Sequence, residues 1–134
     1  MSLLKTKYTA ELYVIFRVGI GLLFFLLGVQ KIFGLWGMPG GPAVFGTLVW
    51  YAGAGEMLIG FSLITGVLVR LASFFGAIEM VVAYILGHAM TFGWNPMTNM
   101  GQPALLFILA FLMTFALGAG KASLEQLVFK KEFF

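Results

Sequence analysis

Three ionisable side chains lie inside otherwise apolar segments of this sequence. Arg17 follows "LYVIF", Glu56 lies in "GAGEMLIG" and Glu79 lies in "FFGAIEMVV". A charged side chain at the centre of a membrane helix costs roughly 2.5 to 3.5 kcal/mol, so such residues usually face a partner or a functional cavity. The chemistry open to them is ion pairing or proton transfer.

The depths of these residues suggest that they meet. Counted at about 1.5 Å per residue from Glu11, Arg70 and Gly66, which the orientation derived below puts at the cytoplasmic ends of the segments, the depths are roughly 9 Å for Arg17, about 13 Å for Glu79 and about 15 Å for Glu56. We therefore expect an intramembrane charge cluster in which Arg17 pairs with one glutamate. Two close carboxylates cannot both ionise cheaply in a low dielectric, so the other would hold a proton. The cluster is either a structural pin for three helices or a proton-handling site.

A second polar group gathers where the first and third apolar segments end. It comprises Gln30, Lys31, His88, Trp94 and Asn99. Aromatic rings and hydrogen-bonding groups at a membrane interface suit a flat ligand with carbonyl oxygens, such as a quinone whose tail stays in lipid. The alternative is a histidine that is simply solvated among the headgroups, beside a tryptophan of an interfacial aromatic belt.

Other redox and metal chemistry is poorly supported by the composition. The chain has no cysteine and one histidine. It can therefore form no disulfide and supply no thiolate nucleophile, and its residues do not make a plausible metal or haem ligand set. The sequence identifies no catalytic residue.

The elements that must position these groups are membrane helices. Of the 134 residues, 61% are hydrophobic and 10% charged, and the mean hydropathy is +1.03. Four apolar segments, residues 12–33, 48–65, 71–92 and 103–117, come close to the roughly 20 residues that cross a bilayer as a helix. They do not alternate as barrel strands would. The sequence predicts a single domain, residues 1–134, with an all-α fold: an integral membrane four-helix bundle.

The basic residues predict the orientation of this bundle. Six of the eight lie on one predicted side: Lys5, Lys7, Arg70, Lys121, Lys130 and Lys131. By the positive-inside rule both termini are cytoplasmic and the protein is a multi-pass protein of the inner (cytoplasmic) membrane. The net charge of +3 reflects this bias and gives no reason to expect a nucleic-acid partner.

Two further features concern the C-terminal segment and helix packing. Ser123, with Gln126 three residues later, has the form of a capping box, which predicts a short C-terminal interfacial helix. Glycines such as Gly21, Gly28 and Gly60 allow helices to approach closely. Such packing serves helices of one chain or of two copies, so the sequence leaves a homo-oligomer open.

The order of these motifs resembles that of the DoxX family of small four-helix membrane proteins. The resemblance rests on "FRVGIGLLFFLLGVQKIFG", "GAGEMLIGFSLITGVLVRLAS" and "GAGKASLEQL". The match runs from about Arg17 to Leu127, which is nearly the whole chain. The chain departs from the family pattern at Ala119 and Glu125, where proline and aspartate are usual. It also has Gln102 and Pro103 near a position where many members carry a glutamate.

The resemblance implies a membrane component of a quinone-linked redox system. One branch is similar to the DoxD-type subunit of thiosulfate:quinone oxidoreductase, and others are associated with oxidative-stress complexes. We therefore expect a subunit that binds quinone or docks a membrane or periplasmic redox partner and is not catalytic alone. The alternatives are a small proton-coupled transporter and a non-catalytic assembly or structural protein.

Overall fold

The computed structural model describes residues 8–132 and 134, and these form helices joined by loops. The helices are α1 (Thr9–Phe33), α2 (Leu48–Thr65), α3 (Val69–Phe92), α4 (Gln102–Leu117) and α5 (Leu124–Phe129). The predicted all-α fold is confirmed, with α1, α3 and α4 beginning three, two and one residues earlier than predicted. Lys5 and Lys7, on which the predicted orientation partly depends, lie outside the described residues.

The long helices have the length and surface of membrane helices. α1, α2 and α3 are each long and apolar enough to cross a bilayer, yet only 22–28% of their most apolar windows is buried within the protein. Large apolar side chains such as Leu58 and Phe61 point outward. Lipid is the solvent that suits such a surface. The protein is therefore a helical membrane protein, in which α4, with 16 residues, is the shortest of the four long helices.

The bundle consists of two closely packed helix pairs. α1 packs mainly against α2, and α3 packs mainly against α4, while α2 joins the pairs through α3. Phe24 of α1 meets Phe111 of α4 edge to face, with ring centroids 4.8 Å apart, so one core crosses the bundle. The buried apolar residues of this core are Phe24, Ile59, Leu63, Ala72, Met80, Tyr84, Ala89, Ala104 and Phe111.

Local sequence signals account for the helix boundaries. α1 and α2 end at Gly34 and Gly66, whose φ angles of 67° and 79° lie in the left-handed region that glycine adopts without strain. Thr47 caps α2, and its hydroxyl accepts a hydrogen bond from the Trp50 backbone N–H. Ser123 caps α5 in the predicted way and accepts a hydrogen bond from the Gln126 N–H at 3.2 Å.

Candidate functional site

An ion pair between Lys31 and Glu56 lies between α1 and α2. The Lys31 ammonium is 2.8 Å from one Glu56 carboxylate oxygen and 2.9 Å from the other. The Glu56 side chain is 2% exposed and that of Lys31 24%. The sequence placed Lys31 among the ligand-binding residues at the membrane surface; in the structure its charge is directed into the bundle, against a glutamate halfway along α2.

Glycines bring the lysine to this position. A Cβ on Gly28 of α1 would lie 2.4 Å from the Gly53 carbonyl oxygen, and a Cβ on Gly53 would lie 3.0 Å from the Cβ of Lys31. The two helix backbones are therefore in contact here. Glu56 lies three residues beyond Gly53, about one turn deeper, which is within the reach of the lysine stem.

Glu79 of α3 lies beside the pair. Its carboxylate faces Gly55 of α2, where an added Cβ would lie 3.1 Å from Oε2. Oε1 is buried and has no hydrogen-bond partner among the described residues. Glu79 therefore contacts the residue that precedes Glu56, and Lys31 is the cation bound to Glu56.

Arg17 does not belong to this cluster, which corrects the predicted pairing of Arg17 with a glutamate. Its guanidinium donates to the carbonyl oxygens of Leu63 at 2.9 Å and Ala122 at 3.0 Å, and also to those of Ala119 and Lys121. Leu63 lies in the last turn of α2, and the other three residues follow the end of α4 at Leu117, so these carbonyls need donors from outside their own helix. A guanidinium with five N–H groups can supply several of them at once.

Arg17 is one of several groups that hold the segment after α4 under the bundle. The Tyr13 hydroxyl donates to the Gly118 carbonyl at 2.5 Å. The Leu68 backbone N–H donates to the Glu125 carboxylate at 2.7 Å, and Glu125 is 1% exposed. Sequence reasoning treated Glu125 only as a departure from a family motif. Its position after the Ser123 cap, facing the short α2–α3 turn, gives it a structural role.

The outer group divides into two parts. His88, Trp94 and Asn99 gather around Tyr84, whereas Gln30 and Lys31 make contacts elsewhere. The Gln30 amide donates to the Trp36 carbonyl at 3.4 Å. No hydrogen bond or ion pair within residues 8–132 connects Gln30 or Lys31 with the other three. In the described structure three of the five predicted residues, His88, Trp94 and Asn99, therefore lie together near the end of α3.

Asn99 organises that part and has no donor left for a ligand. Its side chain is fully buried, its amide nitrogen donates to the Tyr84 hydroxyl at 3.1 Å and to the Gly93 carbonyl at 2.9 Å, and its amide oxygen accepts from the Gly101 N–H at 2.8 Å. The Tyr84 hydroxyl in turn donates to the Trp94 carbonyl at 2.7 Å. Asn99 thus fixes the loop that carries Trp94.

His88 is held by one ring nitrogen. Its Nδ1 lies 2.9 Å from the Asn99 carbonyl oxygen, which can only accept, so Nδ1 carries the hydrogen. In the neutral ring Nε2 then has a free lone pair, and no hydrogen bond to Nε2 is found in the described part of the chain. Trp94 is 66% exposed nearby, with its ring centroid 6.4 Å from that of Tyr84.

A π-helical stretch presents this histidine. Residues Tyr84–Ala89 form a π-helix inside α3, and the Tyr84 and His88 ring centroids are 6.4 Å apart. π-Helical turns are rare and occur frequently at functional sites. Sequence reasoning missed both the π-helix and Tyr84; the available signal was an aromatic residue four positions before the single histidine.

Two shallow apolar grooves open on the helical surface away from His88. One, of about 320 Å³, is lined by Ile32, Trp50, Ala54, Met57 and Leu58. The other, of about 430 Å³, lies between α1 and α4 and is lined by Phe16, Ile20, Leu106, Leu109, Ala110 and Met113. Within the described residues, no group of three or more histidine, cysteine or acidic side chains could hold a metal ion.

Comparisons with known proteins agree with the motif resemblance. The sequence model of the DoxX family matches residues 12–89, a region that contains Lys31, Glu56, Glu79 and His88. The chain is also 33% identical over 129 residues to an uncharacterized protein of Haemophilus influenzae, and the alignment covers 93% of this chain and 96% of that protein. No solved structure matches the chain significantly.

Proposed function

The chain belongs to the DoxX family of membrane proteins, and from this premise we propose that it is the membrane subunit of a quinone-linked oxidoreductase. In this proposal a quinone headgroup binds at the outer end of α3, against His88 and Trp94. The electron donor is bound by a partner chain.

The hydrogen bond from His88 Nδ1 to the Asn99 carbonyl carries the proposal. It leaves Nε2 of the neutral ring as an acceptor at the membrane surface. A bound quinone would accept electrons from the donor on the partner chain, and its reduction also needs protons. His88 can take up a proton from water at Nε2 and pass it to the reduced headgroup, while the Asn99 carbonyl stabilises the imidazolium through Nδ1–H.

The surroundings of His88 fit a flat ring. Gly87 has no atom of a distant residue within 4 Å of the position where a side chain would begin, and the same holds for Gly93. The exposed indole of Trp94 offers a surface for stacking. A headgroup at this position would lie beside the bilayer, with its tail in lipid.

The proposal includes a redox partner chain because this sequence lacks the residues that usually carry electron-transfer groups. It has no cysteine, so thiol and iron–sulfur chemistry would be contributed by another subunit. The docking partner is expected on the outer side of the membrane, where the loops after α1 and α3 lie in the predicted orientation.

The test is quinone binding to the protein in lipid nanodiscs. A short-tailed ubiquinone or menaquinone analogue is titrated and the quenching of tryptophan fluorescence is measured. Trp94→Phe is expected to remove most of the quenching. Its matched control is Trp36→Phe, because Trp36 is 64% exposed at the same predicted interface and an aromatic belt would make the two equivalent.

The histidine is tested with His88→Asn. The new amide can still donate to the Asn99 carbonyl but has no counterpart of Nε2. We expect binding to weaken about tenfold, which corresponds to the loss of one hydrogen bond. The proposal is overturned if both tryptophan variants behave alike, or if the wild-type protein binds no analogue either alone or with co-expressed partner chains.

A further inference from the structure

Glu79 is a membrane carboxyl group without a cation of its own. Its Oε2 lies over Gly55 and its Oε1 is buried without a hydrogen-bond partner in the described residues. The ammonium group of this cluster, that of Lys31, already binds both carboxylate oxygens of Glu56. A second ionised carboxylate would leave the cluster with a net charge of −1 in a low dielectric, which is costly.

No other basic side chain on the packed helices compensates this charge. Arg17 of α1 is bound to backbone carbonyls at the end of α2 and after the end of α4. On α3 itself, Arg70 and His88 are each nine residues from Glu79, about 13 Å along the helix. α4 contains no charged residue. The charged residue of α2 is Glu56, which follows the Gly55 that Glu79 contacts, and its negative charge makes the imbalance larger.

We propose that Glu79 is an intramembrane binding site for one exchangeable proton. The proton adds to the Glu79 carboxylate and gives a neutral acid, while Lys31 and Glu56 keep their opposite charges. The cluster thereby changes from a net charge of −1 to zero. This assignment goes beyond the proposed function, because it depends on no quinone.

A proton fits this site better than a metal cation does. Hard cations take several oxygen ligands at once. The Glu56 oxygens are already bound to Lys31, and Gly55 contributes no side chain. A proton needs only the one oxygen that lacks a partner.

The experiment is infrared spectroscopy of the protein in lipid bilayers. Wild-type protein is expected to show the carbonyl stretching band of a buried carboxylic acid, shifted in D₂O because its proton exchanges. The band is expected to disappear in Glu79→Gln. It should persist in Lys31→Met/Glu56→Met, where Glu79 remains and the adjacent ion pair is replaced by two apolar side chains.

Labelling with dicyclohexylcarbodiimide, which attacks protonated carboxyls in membranes, provides a second measurement. Mass spectrometry should find the adduct at Glu79 rather than Glu56, and sodium ions should not protect Glu79. The absence of an exchangeable acid band sensitive to Glu79→Gln would overturn the proposal. A label mainly on Glu56, or protection by sodium, would do the same.

Discussion

At the scale of single residues, Lys31 and Glu56 form a largely buried ion pair between α1 and α2. The Glu56 carboxylate is buried and the Lys31 side chain is mostly buried, and the ammonium lies 2.8 and 2.9 Å from the two carboxylate oxygens. Removing one member of a buried ion pair leaves the other charge buried without a partner, which lowers stability. Replacing both members by apolar groups often leaves stability unchanged. Glu79 differs because its carboxyl has no such counter-ion in the described chain.

This contrast predicts different outcomes for the same substitution at two neighbouring glutamates. Glu56→Gln is expected to lower the free energy of unfolding by about 3 to 5 kcal/mol, because Lys31 is left without its partner. Glu79→Gln, which resembles the neutral acid, is expected to cost below about 1 kcal/mol. Unfolding in mixed micelles measures both.

The double variant Lys31→Met/Glu56→Met is the control for this prediction. It is expected to recover most of the stability lost in Glu56→Gln, since no unpaired charge remains. Equal losses in the two single glutamine variants would contradict the assignment of Lys31 to Glu56.

The sequence could predict that charges meet in the membrane but could not predict which ones. Counting residues gives a depth, and Glu79 indeed lies against Gly55, the residue before Glu56. Depth does not account for a side chain that reaches back along its helix, as Lys31 does. It also does not reveal the backbone carbonyls that Arg17 binds, because these are acceptors at the end of α2 and in the segment after α4.

At the scale of the elements, close contact between α1 and α2 determines where Lys31 meets Glu56. Added Cβ atoms on Gly21, Gly28 and Gly60 would each lie within 2.8 Å of backbone atoms on the partner helix. The helix boundaries were predictable to within three residues because apolar runs end at glycine or proline. The π-helical stretch could not be predicted from the sequence. It contains Tyr84, whose hydroxyl accepts a hydrogen bond from Asn99, 15 residues further along the chain.

The glycine contact predicts that Gly28→Ala destabilises the bundle. The new Cβ would lie 2.4 Å from the Gly53 carbonyl oxygen, so α1 and α2 would have to separate. We expect a loss of about 1 to 3 kcal/mol in the free energy of unfolding. Gly19→Ala is the matched control on the same helix: no atom of another helix lies within 4 Å of its added Cβ. That variant should be neutral or gain up to about 1 kcal/mol. Equal effects of the two substitutions would contradict close α1–α2 packing.

At the scale of the whole molecule, contacts between distant parts of the chain indicate the path of α4. Lys121, just after α4, pairs with Glu11 near the start of α1 at 3.0 Å, and Tyr13 donates to the Gly118 carbonyl. The end of α4 therefore lies beside the beginning of α1. If α1, α2 and α3 cross the membrane, α4 must return across it, although its 16 residues span only about 24 Å.

Cysteine accessibility provides the test of this topology, and the chain is already free of cysteine. Val44→Cys, Met97→Cys and Leu127→Cys introduce thiols at positions that are 71%, 71% and 74% exposed. In intact cells a membrane-impermeant maleimide should label the first two, and Leu127→Cys only after permeabilisation, because basic residues favour the cytoplasmic side. The reverse labelling pattern would show that the orientation is opposite to the predicted one. Labelling of all three from outside would mean that α4 does not cross, and the loop carrying Trp94 would then share a side with the C-terminal segment.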